Sequence, residues 1–325
     1  MELICPAGTP AALRAAVDAG ADAVYCGFRD ETNARNFPGL NFSPEELKAG
    51  ISYAHNHGVR VLVAINTFAR AGSLDVWERA VDAATDAGAD ALIVADVGVL
   101  DYAVRHHPYQ RLHLSVQAAA SNPDAIDYYV KAFGVRRVVL PRVLSVPEIA
   151  AITREVNCET EVFVFGGLCV MEEGRCSLSS YATGESPNMN GVCSPASHVH
   201  YREQDGELIS RLGAFTVNKV AAGEPAGYPT LCKGRFQTEH GAGYLFEDPV
   251  SLDATSMLPD LRKAGVTALK IEGRQRGRAY IERVVRSFRQ ILAGLESDFA
   301  SPSGDLVALT EGQSTTAGAY RKSWR

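Results

Sequence analysis

The chain has 325 residues, 46% of them hydrophobic and 22% charged, with a formal net charge of -6 at pH 7. That balance belongs to a protein that buries a large core, and it excludes a chain disordered throughout. Lys and Arg form no run able to neutralise a row of phosphates, and no apolar stretch approaches ~20 residues, so neither stable nucleic-acid binding nor a transmembrane segment is expected.

The first residues, MELICPAG, enter a strand pattern at once, without a basic region or an apolar segment of leader length, which predicts a cytoplasmic protein. A unit then recurs in which an amphipathic helix ends at glycine and runs directly into an apolar strand. It is seen in VDAGADAVYCGF (17 to 28), TDAGADALIVAD (85 to 96), KAFGVRRVVLPR (131 to 142) and RKAGVTALKIEG (262 to 273). Glycine at each helix end suits the left-handed cap, and the near-continuous apolar strands suit a parallel sheet buried on both faces.

Eight strands are predicted, at residues 2 to 5, 23 to 28, 59 to 66, 90 to 95, 112 to 117, 136 to 141, 161 to 166 and 267 to 272. Helices are predicted between them at about 9 to 19, 43 to 57, 73 to 87, 97 to 106, 122 to 133 and 145 to 156. Openings such as Ser43-Pro44-Glu45-Glu46 and Ser145-Val146-Pro147-Glu148 supply N-caps and first turns. Eightfold alternation predicts an α/β fold of TIM-like (β/α)8 type, with an open doubly wound sheet as the alternative.

The alternation breaks once, from Gly167 to Ser256, in a stretch rich in Gly, Pro, Ser, Asn and Cys. The expected organisation is therefore a barrel over residues 1 to 295, including a cysteine-bearing insertion at 167 to 256 between strands 7 and 8, and a tail over 296 to 325. Within the insertion HVHYREQDGELISRL predicts a hairpin turning at Asp205-Gly206. So long a segment needs something to organise it, and a hydrophobic core of its own is not expected.

Cysteine supplies the candidate. Of seven cysteines, Cys5 and Cys26 sit in apolar strands and Cys158 lies before strand 7, all three as packing residues. The other four, Cys169, Cys176, Cys193 and Cys232, lie in loop-like surroundings, with six, sixteen and thirty-eight residues between successive members. Four thiolates from separated segments can close a metal site. No CxxC pair occurs, as zinc sites usually have, and the spacing differs from ferredoxin patterns too; it leaves zinc open while favouring a larger iron-sulfur centre. Cys169 follows strand 7 by three residues, which places it at the C-terminal mouth, where barrel enzymes do their chemistry. Polar residues at the strand ends face the same mouth: Asn66, Asp96, Ser115, Gln117, Arg142, Glu272 and Arg274, with Asn33, Arg35 and Asn41 from the loop after strand 2. Lys270, Glu272 and Arg274 alternate and should point the same way. His55, His57, His106 and His107 are read as solvated surface.

The run from Glu161 through Phe163, Phe165, Gly166, Gly167 and Leu168 to Cys169, continuing to Gly174, Arg175, Cys176 and Ser179, resembles the signature of the collagenase-like peptidase family. The family pattern has Ser or Ala where this chain has Gly167. Further similarity lies in LICPAG (3 to 8), DETNARNFPGLNF (30 to 42), VVLPRVLS (138 to 145), AGYPTLCKGR (226 to 235) and KIEGRQR (270 to 276), and it is strongest to members that act in ubiquinone synthesis. The resemblance implies oxygen-independent hydroxylation of the aromatic ring of a ubiquinone precursor. It implies a heterodimer with a UbiV-like sister protein, a 4Fe-4S cluster on Cys169, Cys176, Cys193 and Cys232, and prephenate as hydroxyl donor, as in relatives that hydroxylate RNA. Prephenate is a dicarboxylate, so Arg35, Arg142 and Arg274 are the candidate forked donors, with Asn66, Gln117 and Glu272 completing the substrate-binding set. Neither an HExxH nor a GxSxG motif accompanies the peptidase name.

Overall fold

A computed structural model describes residues 1 to 171, 173, 176 to 187, 192 to 224, 226 to 297, 306 to 310 and 314 to 321. Eight parallel strands close a barrel, and each lies where the hydrophobic runs place it. They are β1 (Glu2–Pro6), β2 (Ala23–Gly27), β3 (Arg60–Ile65), β4 (Ala91–Val94), β5 (Leu112–Leu114), β6 (Arg137–Val139), β7 (Glu159–Gly167) and, after the insertion, the eighth barrel strand Ala268–Ile271. The eighth pairs with β1 (Glu2 opposite Ala268) and with β7 (Ala268 opposite Glu161), which closes the ring and disposes of the open-sheet alternative.

Helices α1 (Pro10–Asp18), α2 (Pro44–Asn56), α3 (Leu74–Asp86), α4 (Val97–His106), α5 (Pro123–Phe133) and α6 (Val146–Glu155) fill the intervals from β1 to β7. In α2 the Ser43 side chain accepts from the Glu46 N–H while the Glu46 carboxylate accepts from the Ser43 N–H, a complete capping box. The four repeated glycines, Gly20, Gly88, Gly134 and Gly265, all have φ between 64° and 99°, the left-handed stop expected of them.

The strands alternate in a way that builds two different interiors. Leu3, Cys5, Val24, Cys26, Val61, Val63, Leu92 and Val94 point outward and pack under the helices. Inward, β1 to β4 and the eighth strand contribute a small apolar group, Ile4, Ala23, Tyr25, Leu62, Ala64, Ala91, Ile93 and Ala268. The opposite side of the lumen is ionic. Glu161, fully buried, accepts from Lys270 Nζ at 2.5 Å and from Arg137 Nη1 at 3.2 Å, and Arg137 also reaches Glu2 and Glu159.

Removing one member of such a group leaves a charge buried and uncompensated, at a cost of about 3–5 kcal/mol. Glu161→Leu, which strips Lys270 of its partner, should lower the unfolding free energy by that amount in a denaturant melt; a loss under ~1 kcal/mol would show that the network carries no weight. His113 lies beside this group with Nε2 accepting from Arg111 Nε at 2.9 Å. Burial first, then Arg137 and Arg111, holds its pKa well below 6.5, so the folded chain keeps the ring neutral. The unfolded chain gains a proton near pH 6.5, so the unfolded state binds more protons below that pH and folding stability falls as pH falls. A series of melts from pH 7.5 to 5 should show this slope, and His113→Gln should flatten it.

The insertion begins with α7 (Leu178–Thr183) and a three-stranded antiparallel sheet, β8 (Val199–Gln204), β9 (Glu207–Leu212) and β10 (Phe215–Ala221). The β8–β9 turn falls at Asp205 and Gly206, both with positive φ (53° and 79°), as a two-residue hairpin requires. One expectation is corrected: the insertion has a small core, in which Leu212, Val217 and Leu231 are buried against Leu178, Ala182, Val199 and Phe236. The apolar residues that form it are scattered over sixty positions, which is why no local periodicity announces it. A hairpin, β11 (Arg235–Thr238) with β12 (Gly241–Tyr244), follows, and β13 (Ser251–Asp253) returns antiparallel to the end of β7. After α8 (Leu258–Lys263), the eighth barrel strand, β14, leads into the long α9 (Arg278–Ser297). From the expected tail, β15 (Thr315–Thr316) pairs with β13, and buried Tyr320 donates its hydroxyl to the Phe163 carbonyl. Residues 298 to 305, 311 to 313 and 322 to 325 lie outside the described residues, as do Gly174 and Arg175 of the signature. Among the described residues no helix is long and apolar enough to cross a membrane.

Candidate active site at the barrel mouth

The six residues of the expected substrate-binding set, Arg35, Asn66, Gln117, Arg142, Glu272 and Arg274, line one pocket of about 500 Å³, part of it open to solvent, together with Ser115, while Asn33, Asn41 and Asp96 do not line it. Tyr25, Ile93, Val139 and Phe163 supply its apolar wall, and Lys270 lines it together with Glu272 and Arg274, as their alternation predicts.

The polar residues divide by what they already hold. Asn66 uses both ends of its amide, accepting from the Ala34 N–H at 3.0 Å and donating to Ser115 Oγ at 3.2 Å, so it fixes the β2 loop to β5. Asp96 is occupied as the N-cap of α4 and by the Ala69 N–H, and the Asn41 amide supports the Arg35 carbonyl. Arg142, expected as a free fork, donates from Nε to Glu173 at 2.5 Å and from Nη1 to the Gly167 carbonyl, with its guanidinium 4.3 Å over the Phe163 ring. Burial opposes its charge, but Glu173 and then Cys169 raise its pKa above the usual arginine value. Glu272 accepts from the Gly167 N–H at 3.0 Å and faces Arg35 Nε at 3.7 Å. Against the upward push of burial, Arg35 and Arg142 hold it below the usual carboxylate range, as an anion.

The Gly167 peptide is thus gripped at both polar atoms by pocket residues, two positions before Cys169. A Cβ at 167 would meet Glu272 Oε2 at 2.9 Å, so the Ser or Ala of the family pattern would require that carboxylate to move, and Gly167 leaves it in place. Glu173, which sequence reasoning missed, is the third member of this clamp; its place between two candidate ligand cysteines was the available signal.

Arg274 differs from the others. It is 3% exposed, its Nη1 donates to Asn33 Oδ1 at 2.6 Å, and its Nε is buried with no partner. Among the described residues it has no ion pair, and its nearest aromatic, Tyr25, is spent on the Ile271 carbonyl at 2.8 Å. Burial depresses its pKa to about 10, still a cation at neutral pH. A buried cation without an ion pair at the wall of a pocket has the chemistry to receive a carboxylate.

The four mouth cysteines are free thiols, as are Cys5, Cys26 and Cys158. They are near one another: besides the dominant effect of burial, Cys169, Cys193 and Cys176 each raise the Cys232 thiol, which reaches about 12, and Cys176 raises that of Cys193. Burial and then Glu173 push Cys169 to about 11, while Arg142 and Arg35 pull the other way; Arg35 acts on Cys193 too. One pocket residue, Arg35, is therefore within electrostatic reach of two of the thiols, and the cysteine group adjoins the mouth. Among the described residues, no three His, Cys, Asp or Glu side chains are grouped so as to hold a single metal ion. Elsewhere, His55 pairs with Asp90 and His107 with Asp82 on the outer helices, away from this site.

A (β/α)8 barrel whose mouth joins a partly charged pocket to a group of four thiols defines the class. The chain belongs to the peptidase U32 family, whose model matches residues 8 to 312. Among curated relatives, tRNA hydroxylation protein P of Escherichia coli strain K12 is 34% identical over 90% of this chain and 67% of its own length. The tRNA hydroxylation protein P1 of Bacillus subtilis strain 168 is 32% identical over 90% of this chain and 63% of its own. The 23S rRNA 5-hydroxycytidine C2501 synthase of Escherichia coli strain K12 is 28% identical over 96% of this chain. The chain spans about two thirds of the length of the first two and 42% of the third.

Proposed function

We propose that this chain is a UbiU-like subunit of an oxygen-independent hydroxylase, acting with a UbiV-like partner on the aromatic ring of a ubiquinone precursor. In this reading Cys169, Cys176, Cys193 and Cys232 hold a 4Fe-4S cluster and prephenate donates the hydroxyl group. The observation that carries it is the adjacency of the four thiols to a pocket containing the unpaired Arg274. The names of the relatives, hydroxylation proteins for tRNA and rRNA, support the reaction type.

The donor set suits a cluster. Thiolates around one zinc ion, at about 2.3 Å from it, must lie within about 4 Å of each other. The thiols of Cys169, Cys176 and Cys193 all act on that of Cys232, and this reading takes the four as the ligands of one centre. When bound, such a cluster supplies one-electron redox chemistry. The chain's own residues do the rest. Arg274, with Arg35, takes the donor's carboxylates; Glu272 and Arg142 fix the peptide before Cys169; Tyr25 and Phe163 keep water from the wall of the pocket. The insertion exposes Tyr181, Tyr201, Phe215, Tyr228 and Phe246, with the Tyr181 and Phe215 rings 5.6 Å apart, and this reading assigns that part of the chain to the partner.

Anaerobic incubation of chain, partner, prephenate and precursor tests the proposal: the precursor should gain one oxygen atom, traceable to ¹⁸O placed in the prephenate hydroxyl. Unchanged precursor would overturn it. A second reading, RNA nucleoside hydroxylation, is favoured by the relatives' names and opposed by the net charge of -6. Loss of a hydroxylated nucleoside from the RNA of a deletion strain would decide for it.

A further inference from the structure

A second buried polar atom at the mouth lacks a partner. Gln117 follows β5 on a single 3₁₀ turn, Val116–Ala118, pinned by its own N–H to Ser115 Oγ at 3.2 Å and closed by Ala119 in the left-handed region (φ 52°). The backbone is thereby fixed, and the side chain stands in the pocket lining with Oε1 buried and unbonded. Arg274, with its own unpaired Nε, lies just beyond the end of the eighth barrel strand, three strands from β5 by way of β7 and β6 and five the other way around the ring. The two line the same pocket from separated strands, with Val139 of β6 and Phe163 of β7 on the shorter arc between them. A buried acceptor and a buried donor left unmade are each costly, and a ligand that satisfies both removes both penalties. Such a ligand has an anionic acceptor at one end, an apolar body, and a hydrogen-bond donor at the other.

We infer that Gln117 is the specificity-determining residue of the site: its carboxamide oxygen accepts a hydroxyl at the far end of a cyclic carboxylic acid whose carboxylate is held by Arg274. This deepens the reading above and rests on it for the class of ligand, but it concerns binding alone.

Two keto acids that differ only by a ring hydroxyl, 4-hydroxyphenylpyruvate and phenylpyruvate, are suitable probes, titrated calorimetrically into the anaerobic chain. The wild type should bind the hydroxylated acid about tenfold more tightly, the usual size of one net hydrogen bond. Gln117→Leu should bring that ratio to about one while leaving phenylpyruvate affinity in place. Gln117→Glu keeps an acceptor, so it should weaken both anions and preserve the ratio, which also separates lost recognition from lost folding. Equal affinities in the wild type, binding of neither acid, or a ratio that survives in Gln117→Leu would each overturn the inference. If the ratio behaves as stated but no precursor is hydroxylated, the hydroxylase reading fails and the role of Gln117 stands.

Discussion

Cys232→Ser, purified without oxygen, should retain less than about one iron per chain, against about four in the wild type. Cys232 is the informative choice because its thiol senses all three of the others, Cys169, Cys193 and Cys176. A cluster held by four cysteines cannot lose one of them and keep four thiolate bonds. The insertion should stay folded, because Leu212, Val217 and Leu231 give it a core independent of any metal. Circular dichroism should therefore change little while the visible absorption disappears. Cys158→Ser serves as the control, since Cys158 packs against the main hydrophobic core, and its iron content should match the wild type. Equal iron in Cys232→Ser and the wild type would remove Cys232 from the ligand set.

Arg274→Leu should raise the concentration of prephenate needed for half-saturation by about a hundredfold, with iron content and cluster spectrum unchanged. The size follows from the cost of truncating a buried, hydrogen-bonded charge partner, about 2–5 kcal/mol, taken near the lower end because Arg35 remains as a second cation. Leucine is apolar and fits the surroundings of a residue 3% exposed, so the fold should tolerate it. By contrast Arg142→Leu breaks the grip on Gly167 and Glu173, and its effect should appear in the cluster spectrum as well as in binding. An Arg274→Leu chain that saturates at the wild-type concentration would show that the unpaired guanidinium has another purpose.

The contrast between these two arginines marks the limit of what the sequence reveals. Strand positions followed from apolar runs and helix ends from glycine, because burial and backbone conformation are local demands. Alternation then told which residues face the mouth, since Lys270, Glu272 and Arg274 must share a side, and all six chosen residues do line one pocket. What each of them holds was not legible. Arg142 is committed to Glu173 and Gly167, and Asn66 to Ala34 and Ser115, through pairings set by the closed ring rather than by neighbours in sequence. The unpaired state of Arg274 Nε and Gln117 Oε1 is likewise a property of the assembled mouth. The core of the insertion went unseen for the same reason, its members being brought together by β9, β10 and the turn that carries Cys232.

The direct test of the central claim is chemical analysis of the anaerobically purified wild-type chain for iron, acid-labile sulfide and zinc, alongside its Mössbauer spectrum. The account predicts a brown protein with about four iron and four sulfide per chain in a single 4Fe-4S centre. A colourless protein carrying one zinc and no sulfide would contradict it.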